Sequence, residues 1–314
     1  MGDTGAYAAS SRIEITPLTL HIGAEIGGAD LARPLPTEIV CEIRDALLRW
    51  KVIFFRNQQL DHDQHLVFAR QLGEPTVGHV AFGHIEGYPE IYSVDTRRTA
   101  NSVGTGEKVG RAWTGWHADV TTAINPPAIS TLRAVSVPPY GGDTRWTNMV
   151  AAYDGLSEQL RGFVNSLRGI HRFTPPEADA PAVDPNLIRQ ITGQISEHPL
   201  VRVHPETGQR ALYVCPKFLK SIVGLTPRES EQLLELLWEH AVREEYTVRY
   251  RWRPGDLAIW DNRSTCHLAP NDVLQTGFDR QLYRITLLGD IPVGVDGLRS
   301  KSLGGEPITA WAAE

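Results

Sequence analysis

The apolar positions of the chain fall into helical and strand periods. Between 38 and 50, Ile39, Ile43, Ala46, Leu47 and Trp50 recur on one stripe, and Thr37 is placed to cap that helix. Val52-Ile53-Phe54-Phe55 follows, uniformly apolar and too short for a lone helix, and predicts a buried strand. Asp61 with Gln64 three residues on forms a capping-box pattern for a second helix, which Gly73 closes near Leu72. Thr226-Pro227-Arg228-Glu229 combines a cap, a proline at the first helical position and a glutamate. The helix it starts carries Leu233, Leu234, Leu237 and Trp238 and ends before about Thr247.

Strand signals dominate elsewhere. The stretch 129–137 lies between two proline pairs, 257–260 follows the turn Arg253-Pro254-Gly255-Asp256, and 281–288 ends at Gly289-Asp290. The polar, Gly- and Pro-containing stretches 95–112 and 173–198 read as long, lid-like loops, and residues 1–12 as a flexible leader. The 21 prolines and 28 glycines are spread throughout and mark no boundary. The expectation is a single domain over 13–314, mainly β, with flanking helices.

Composition acts by exclusion. With 41% hydrophobic and 22% charged residues, the 314-residue chain can bury a substantial core. Its 31 Lys and Arg against 37 Asp and Glu, a net charge of −6, argue against a nucleic-acid partner. Cys41, Cys215 and Cys266 contain no CxxC pair and suit a reducing cytoplasm. No apolar run approaches the roughly 20 residues of a membrane span, so no membrane partner is expected. The first residues lack the basic and apolar regions of a secretory signal.

Candidate chemistry starts with the 11 histidines. His21, His62, His65, His84, His171, His198, His204 and His240 lie among polar or turn residues and read as surface or ordinary structure. His117 differs, because Asp119 follows two residues on and in extended chain both side chains point the same way. They can share one ion, or simply pair with each other. His267 is the candidate for a second imidazole. Two imidazoles and a carboxylate on one face of a metal suit a non-haem Fe(II) oxygenase, and a zinc hydrolase also uses that set, although its HExxH signature is absent. Arg280 and Arg284 would share a face of the last strand with Leu282, Thr286 and Leu288, opposite Tyr283, Ile285 and Leu287. Two inward guanidiniums each need an anion, from bound carboxylate, sulfonate or sulfate groups or from internal Asp and Glu.

The ordered motifs resemble the taurine dioxygenase/TfdA-like family of Fe(II)- and 2-oxoglutarate-dependent dioxygenases. They run from Gly23-Ala24-Glu25-Ile26-Gly27-Gly28-Ala29-Asp30 through Trp116-His117-Ala118-Asp119, Leu132-Arg133-Ala134 and Gly141-Gly142-Asp143-Thr144. They continue with His198-Pro199-Leu200-Val201, His204-Pro205-Glu206-Thr207-Gly208, Trp260-Asp261-Asn262, His267, Arg280 and Arg284. The resemblance implies a double-stranded β-helix (a cupin-like jelly roll), a dimer or tetramer, and Fe(II), 2-oxoglutarate and O2 as cofactor and cosubstrates. It implies that His117, Asp119 and His267 ligate iron and that Arg280 and Thr144 hold the distal carboxylate of 2-oxoglutarate. Arg284, His79 and the backbone N–H near Val120 would face the acidic group of a small-molecule substrate. Read from its neighbours alone, Thr144 is equally a turn residue and His79 an exposed loop histidine.

Within the family the chain is most similar to the alkylsulfatase branch, with taurine dioxygenase next. Where taurine enzymes carry a tyrosine and an asparagine, this chain has Phe82 and Trp113, which replace polar partners of an ammonium by apolar area. The expected reaction cleaves an alkyl sulfate ester to an aldehyde and sulfate, with release of succinate and CO2. Taurine or another sulfonate, an aryloxyalkanoate and a natural-product hydroxylation are alternatives on the same scaffold, and a non-catalytic binding protein or a zinc hydrolase stand further off.

Overall fold

The computed structural model describes residues 12–79, 83–95, 115–173, 192–269, 272–273 and 277–311. In chain order the elements are β1 (Glu14–Pro17), β2 (Ala24–Gly27), α1 (Thr37–Trp50), β3 (Val52–Phe55), α2 (His62–Leu72), β4 (Tyr92–Asp95), β5 (Ile129–Ser136) and β6 (Thr144–Asn148). There follow α3 (Met149–Asp154), α4 (Glu158–Val164), β7 (Arg168–Arg172), β8 (Ile195–Pro199), β9 (Val201–Val203), β10 (Arg210–Leu212) and β11 (Leu219–Ile222). The remainder are α5 (Pro227–Ala241), β12 (Thr247–Tyr250), β13 (Leu257–Asp261), β14 (Thr265–Leu268), β15 (Gln281–Leu287), β16 (Val293–Gly294) and β17 (Lys301–Gly304).

A seven-stranded sheet runs β1-β2-β3-β13-β5-β15-β4 and a three-stranded sheet runs β12-β6-β14. Alternation along the strands divides the side chains of the large sheet between two cores. Phe54, Leu132, Ala258, Trp260 and Leu282 pack against Trp146, Val248 and Tyr250 of the small sheet. Ile53, Phe55, Leu257, Ile259, Ile285 and Leu287 take the other face, under Ile43 and Leu47 of α1 and Leu66 and Phe68 of α2. Two facing sheets with helices buttressing one of them form the expected jelly roll. Because β15 alternates in this way, Leu282 faces the inner core while Ile285 and Leu287 face the helices, as its sequence implied. Two smaller sheets, β11-β7-β8-β17 and β10-β9-β16, complete the strand set.

Local chemistry explains the helix ends. The capping box of α2 is formed, Asp61 accepting from the Gln64 N–H at 2.8 Å and Gln64 accepting from the Asp61 N–H at 2.9 Å. That of α5 is formed by Thr226 and Glu229, with Pro227 in the first turn. Helix α1 differs from expectation: Thr37 is its first residue, Pro36 stands at the cap position, and no side chain caps it. Helices α3 and α4 are too short to show a period, although Asn148 and Ser157 cap them.

Other expectations are adjusted. Strand β8 occupies the end of the stretch read as a loop over 173–198, and most of that stretch and of 95–112 lies outside the described residues. Arg12, the end of the supposed leader, donates its N–H to Glu42 at 2.8 Å, and residues 1–11 lie outside the description. His65, His171, His198 and His204 are buried rather than on the surface, each with hydrogen-bond partners such as Thr131, Thr121, Ser300 and Asp261. Among the described residues no helix is long and apolar enough to cross a membrane.

Candidate active site

The site forms where the two facing sheets meet the segment before β5. His267 lies on the edge strand β14, and His117 pairs with it as an isolated antiparallel bridge, His117 N–H to His267 O at 2.9 Å and the reverse at 2.6 Å. The bridge brings their rings to 4.2 Å between centroids. Asp119, two residues beyond the bridge, completes a set in which one ligand atom from each of the three residues lies within 4.8 Å of the others. The alternative of a private His117–Asp119 pair gives way to a three-residue cluster.

The protonation states suit a metal. His117 Nδ1 donates to the Gly115 carbonyl at 2.9 Å, which leaves the lone pair on Nε2. Burial, with His267 and Lys217 nearby, pushes the His117 imidazole well below its ordinary value, and burial lowers His267 to about 4. Both rings are neutral at pH 7. Burial alone would raise the Asp119 carboxyl, but Arg284, followed by His267 and His117, outweighs it and holds the group ionised. Asp119 Oδ1 accepts from Arg284 Nη1 at 2.5 Å and Oδ2 from Ser130 Oγ at 2.6 Å. Asn262 donates to the same Ser130 Oγ at 2.8 Å and accepts from Trp260 Nε1 at 2.9 Å, so a buried chain of hydrogen bonds orients the carboxylate. His267 directs Nε2 toward the carboxylate, 4.0 Å from Asp119 Oδ1. Two neutral imidazoles and one carboxylate converging on one cavity fit a divalent cation with an open coordination face.

A cavity of about 240 Å³ contains this triad together with Thr144, Arg280, Arg284, His79 and Val120. Every described residue expected at the site is therefore brought to one place, whereas Phe82 and Trp113 lie outside the described residues. Arg280 is 7% exposed and donates through Nε to the Gly142 carbonyl at 2.9 Å and through Nη2 to Thr144 Oγ at 3.3 Å. Burial lowers its pKa to about 10, still a cation at neutral pH. Thr144 is the first residue of β6 and buried, not a turn residue. Its oxygen also accepts from Trp252 Nε1 at 2.9 Å, which leaves its O–H to donate into the cavity. Gly142 has φ +67°, and a Cβ there would lie 3.0 Å from Arg280 Cδ, so only glycine lets the guanidinium approach. Of the two arginines, Arg284 makes the internal ion pair that was the alternative to anion binding, with a triad carboxylate, while both face the cavity.

His79 packs against Tyr92 with ring centroids 4.9 Å apart and planes tilted by 41°, and the Arg284 guanidinium lies over the same tyrosine ring at 5.3 Å. Burial and then Arg284 lower its pKa to about 3. Val120 adopts φ 45°, a strained backbone for a β-branched residue and one that turns the chain immediately after the triad carboxylate. His79, Val120 and Arg284 also line a second cavity of about 440 Å³, walled by Val77, Pro127, Pro307 and Ile308.

The match to known proteins agrees with this geometry. Residues 14–286 match the model of the taurine catabolism dioxygenase TauD, TfdA family. The chain belongs to that family. It is 39% identical over 298 residues to the α-ketoglutarate-dependent sulfate ester dioxygenase of Pseudomonas putida, covering 92% of this chain and 94% of that protein. It is 36% identical to the alkylsulfatase of Acinetobacter baylyi, covering 93% and 90%. The crystal structure of a taurine dioxygenase from Burkholderia xenovorans superposes with a TM-score of 0.83 at 56% identity, covering 95% of this chain and 96% of that one. As a TauD/TfdA member the chain is a 2-oxoglutarate-dependent dioxygenase, an oxidoreductase that uses Fe(II) and O2.

Sequence reasoning missed Ser130, Tyr92, Lys217 and Phe218. Ser130 is one of four polar positions in Ile129–Ser136, with nothing local to single it out, and the others sit in short strands or turns where no period selects them. Asn262 was visible only as part of the Trp260-Asp261-Asn262 motif.

Proposed function

We propose that this dioxygenase takes a medium-chain alkyl sulfate ester and cleaves it to an aldehyde and sulfate, while 2-oxoglutarate gives succinate and CO2. The observation that carries the reading is the convergence, in one cavity, of the triad, the Arg280–Thr144 pair and Arg284. His117, Asp119 and His267 would hold the iron, and Arg280 with the Thr144 hydroxyl would hold the distal carboxylate of 2-oxoglutarate. Bound iron and 2-oxoglutarate supply the activation of dioxygen. Arg284, His79 and the N–H at Val120 would hold the sulfate, so that the adjoining C–H lies close to the triad. Hydroxylation of the carbon bonded to the ester oxygen gives an adduct that collapses. The C–O bond to sulfate breaks with its electron pair, and the new hydroxyl loses its proton to become the aldehyde.

Two features favour a sulfate ester over taurine. Among the described residues lining the triad cavity, Asp119 is the sole carboxylate and is already paired with Arg284, so an ammonium held near the triad finds no free acidic partner; Glu306 lines the adjoining cavity. Val94, Leu132 and Phe218 supply apolar wall beside the charged end, and the adjoining 440 Å³ cavity has room for an alkyl tail. A sulfonate is the second reading, favoured by the likeness to the Burkholderia xenovorans structure. Iron-loaded protein with 2-oxoglutarate and O2, offered alkyl sulfates, taurine and aryloxyalkanoates, tests the choice. Equal amounts of succinate, sulfate and aldehyde are expected from the alkyl sulfate. Sulfite release from taurine alone would establish the sulfonate reading, and stimulation by aryloxy acids alone would overturn both. A cytoplasmic location, a single domain over 13–314 and a dimeric or tetrameric assembly complete the proposal, the last checked by light scattering.

A further inference from the structure

Lys217 belongs to the turn between β10 and β11. The turn is closed by the N–H groups of Phe218 and Leu219, which donate to Cys215 O at 3.1 and 2.8 Å. The N–H of Lys217 donates to the carbonyl of Trp116 at 3.2 Å, the residue before His117. The Lys220 ammonium donates to Lys217 O at 2.7 Å. The backbone of Lys217 is thus tied to the segment carrying the first triad imidazole. Lys217 is exposed and lines the same cavity at its solvent side, with Nζ 5.7 Å from the Phe218 ring centroid. Among the described residues Lys217 makes no ion pair. Its charge disfavours protonation of His117, His267 and His79 and is opposed by that of Arg284. Crowding by protein lowers its own pKa, with Cys215 and Asp119 acting against the shift. Two cations facing one pocket repel each other until an anion arrives between them.

We infer that Lys217 is a specificity-determining residue that binds a tetrahedral oxyanion head group from the solvent side of the cavity it shares with Arg284 and so selects sulfate esters over carboxylic acids. The inference rests on the sulfate-ester reading above. A carboxylate has two oxygens in one plane, which a single guanidinium fork can match. A sulfate ester has three terminal oxygens pointing in three directions. Arg284, His79 and Val120 border both cavities, whereas His117, Lys217 and Phe218 line the smaller one alone, so an oxygen directed toward the latter group needs a donor there. An ammonium with three donors on a flexible stem supplies it.

The test compares an alkyl sulfate with the alkyl carboxylate of matched length, bound to the iron-free protein and followed by tryptophan fluorescence, since Trp260 lines the cavity. Lys217→Met is expected to weaken ester binding roughly tenfold or more and carboxylate binding less than about twofold, the size of one lost charge-assisted hydrogen bond. Lys217→Arg, which keeps the charge, should restore most of the loss. In turnover the loss should fall on KM for the ester rather than on kcat or on KM for 2-oxoglutarate. Equal losses for both anions, or no loss for the ester, would overturn the inference while leaving the sulfate-ester reading intact. Failure of the wild-type protein to bind or turn over the ester while accepting the carboxylate would overturn both.

Discussion

Among the described residues, two clusters join a histidine to an aspartate: one is closed by its own partners and the other opens on a cavity. In the closed cluster His204 Nε2 donates to Asp261 at 2.9 Å, and its Nδ1 accepts from the N–H groups of Glu206 and Thr207 at 3.2 Å. Asp261 also accepts from the backbone and guanidinium of Arg263, whose Nη1 reaches Glu206 at 2.6 Å. Each ring nitrogen of His204 and each oxygen of Asp261 has a partner. In the open cluster His117, Asp119 and His267 face one cavity, and one ligand atom from each lies within 4.8 Å of the others. A saturated His–Asp cluster ties elements together, whereas one whose ligand atoms converge on a cavity keeps capacity for a cation.

The largest effect that would break this comparison is at Asp119. Asp119→Ala is expected to lower turnover by about a thousandfold or more, because a metal contributes several kcal/mol of stabilisation that needs this ligand. Steady-state succinate formation checks it, and retention of turnover would remove Asp119 from the site. His204→Ala should do the reverse, costing about 2 kcal/mol of unfolding free energy in urea with turnover retained. Ser130→Ala sharpens the boundary between the two, since Ser130 touches no metal and holds both Asp119 and Asn262. Metal affinity should fall about tenfold, as for loss of a hydrogen bond that positions a ligand, with a stability loss of about 1–3 kcal/mol from the buried partners left unpaired.

The smallest effect is on pH. Burial lowers His198 to about 3 from an ordinary 6.5, as it does His79. Below pH 6.5 the unfolded chain takes up protons on these rings that the folded chain does not. Their contribution to stability is complete above pH 6.5 and is lost progressively as pH falls toward 3, roughly 1 kcal/mol for each between pH 7.5 and 6. Urea melts across that range measure it, and a flat profile would show that these rings are not held neutral.

Much of the architecture was legible because it is local. The capping boxes at Asp61 and Thr226 and the alternation of Val52–Phe55 depend on neighbours in sequence, and the structure forms them. His117 and Asp119 were legible for the same reason, being two residues apart. What distinguishes His267 from His204 is not local. Cys266 precedes one and Val203 the other, each in a short strand, and only the bridge to His117 or the contact with Asp261 separates ligand candidate from structural tie. Lys217 was invisible because a lysine in a polar turn reads as surface; it is indeed exposed, and only the tie of that turn to Trp116 sets it beside the cavity.

Anaerobic titration with Fe(II), followed by calorimetry, puts the distinction between the clusters to its most direct test. Wild-type protein and His204→Ala should each take up one Fe(II) per chain, and His117→Ala should take up none. Undiminished Fe(II) binding by His117→Ala, or its loss in folded His204→Ala, would contradict the assignment of the open cluster as the metal centre.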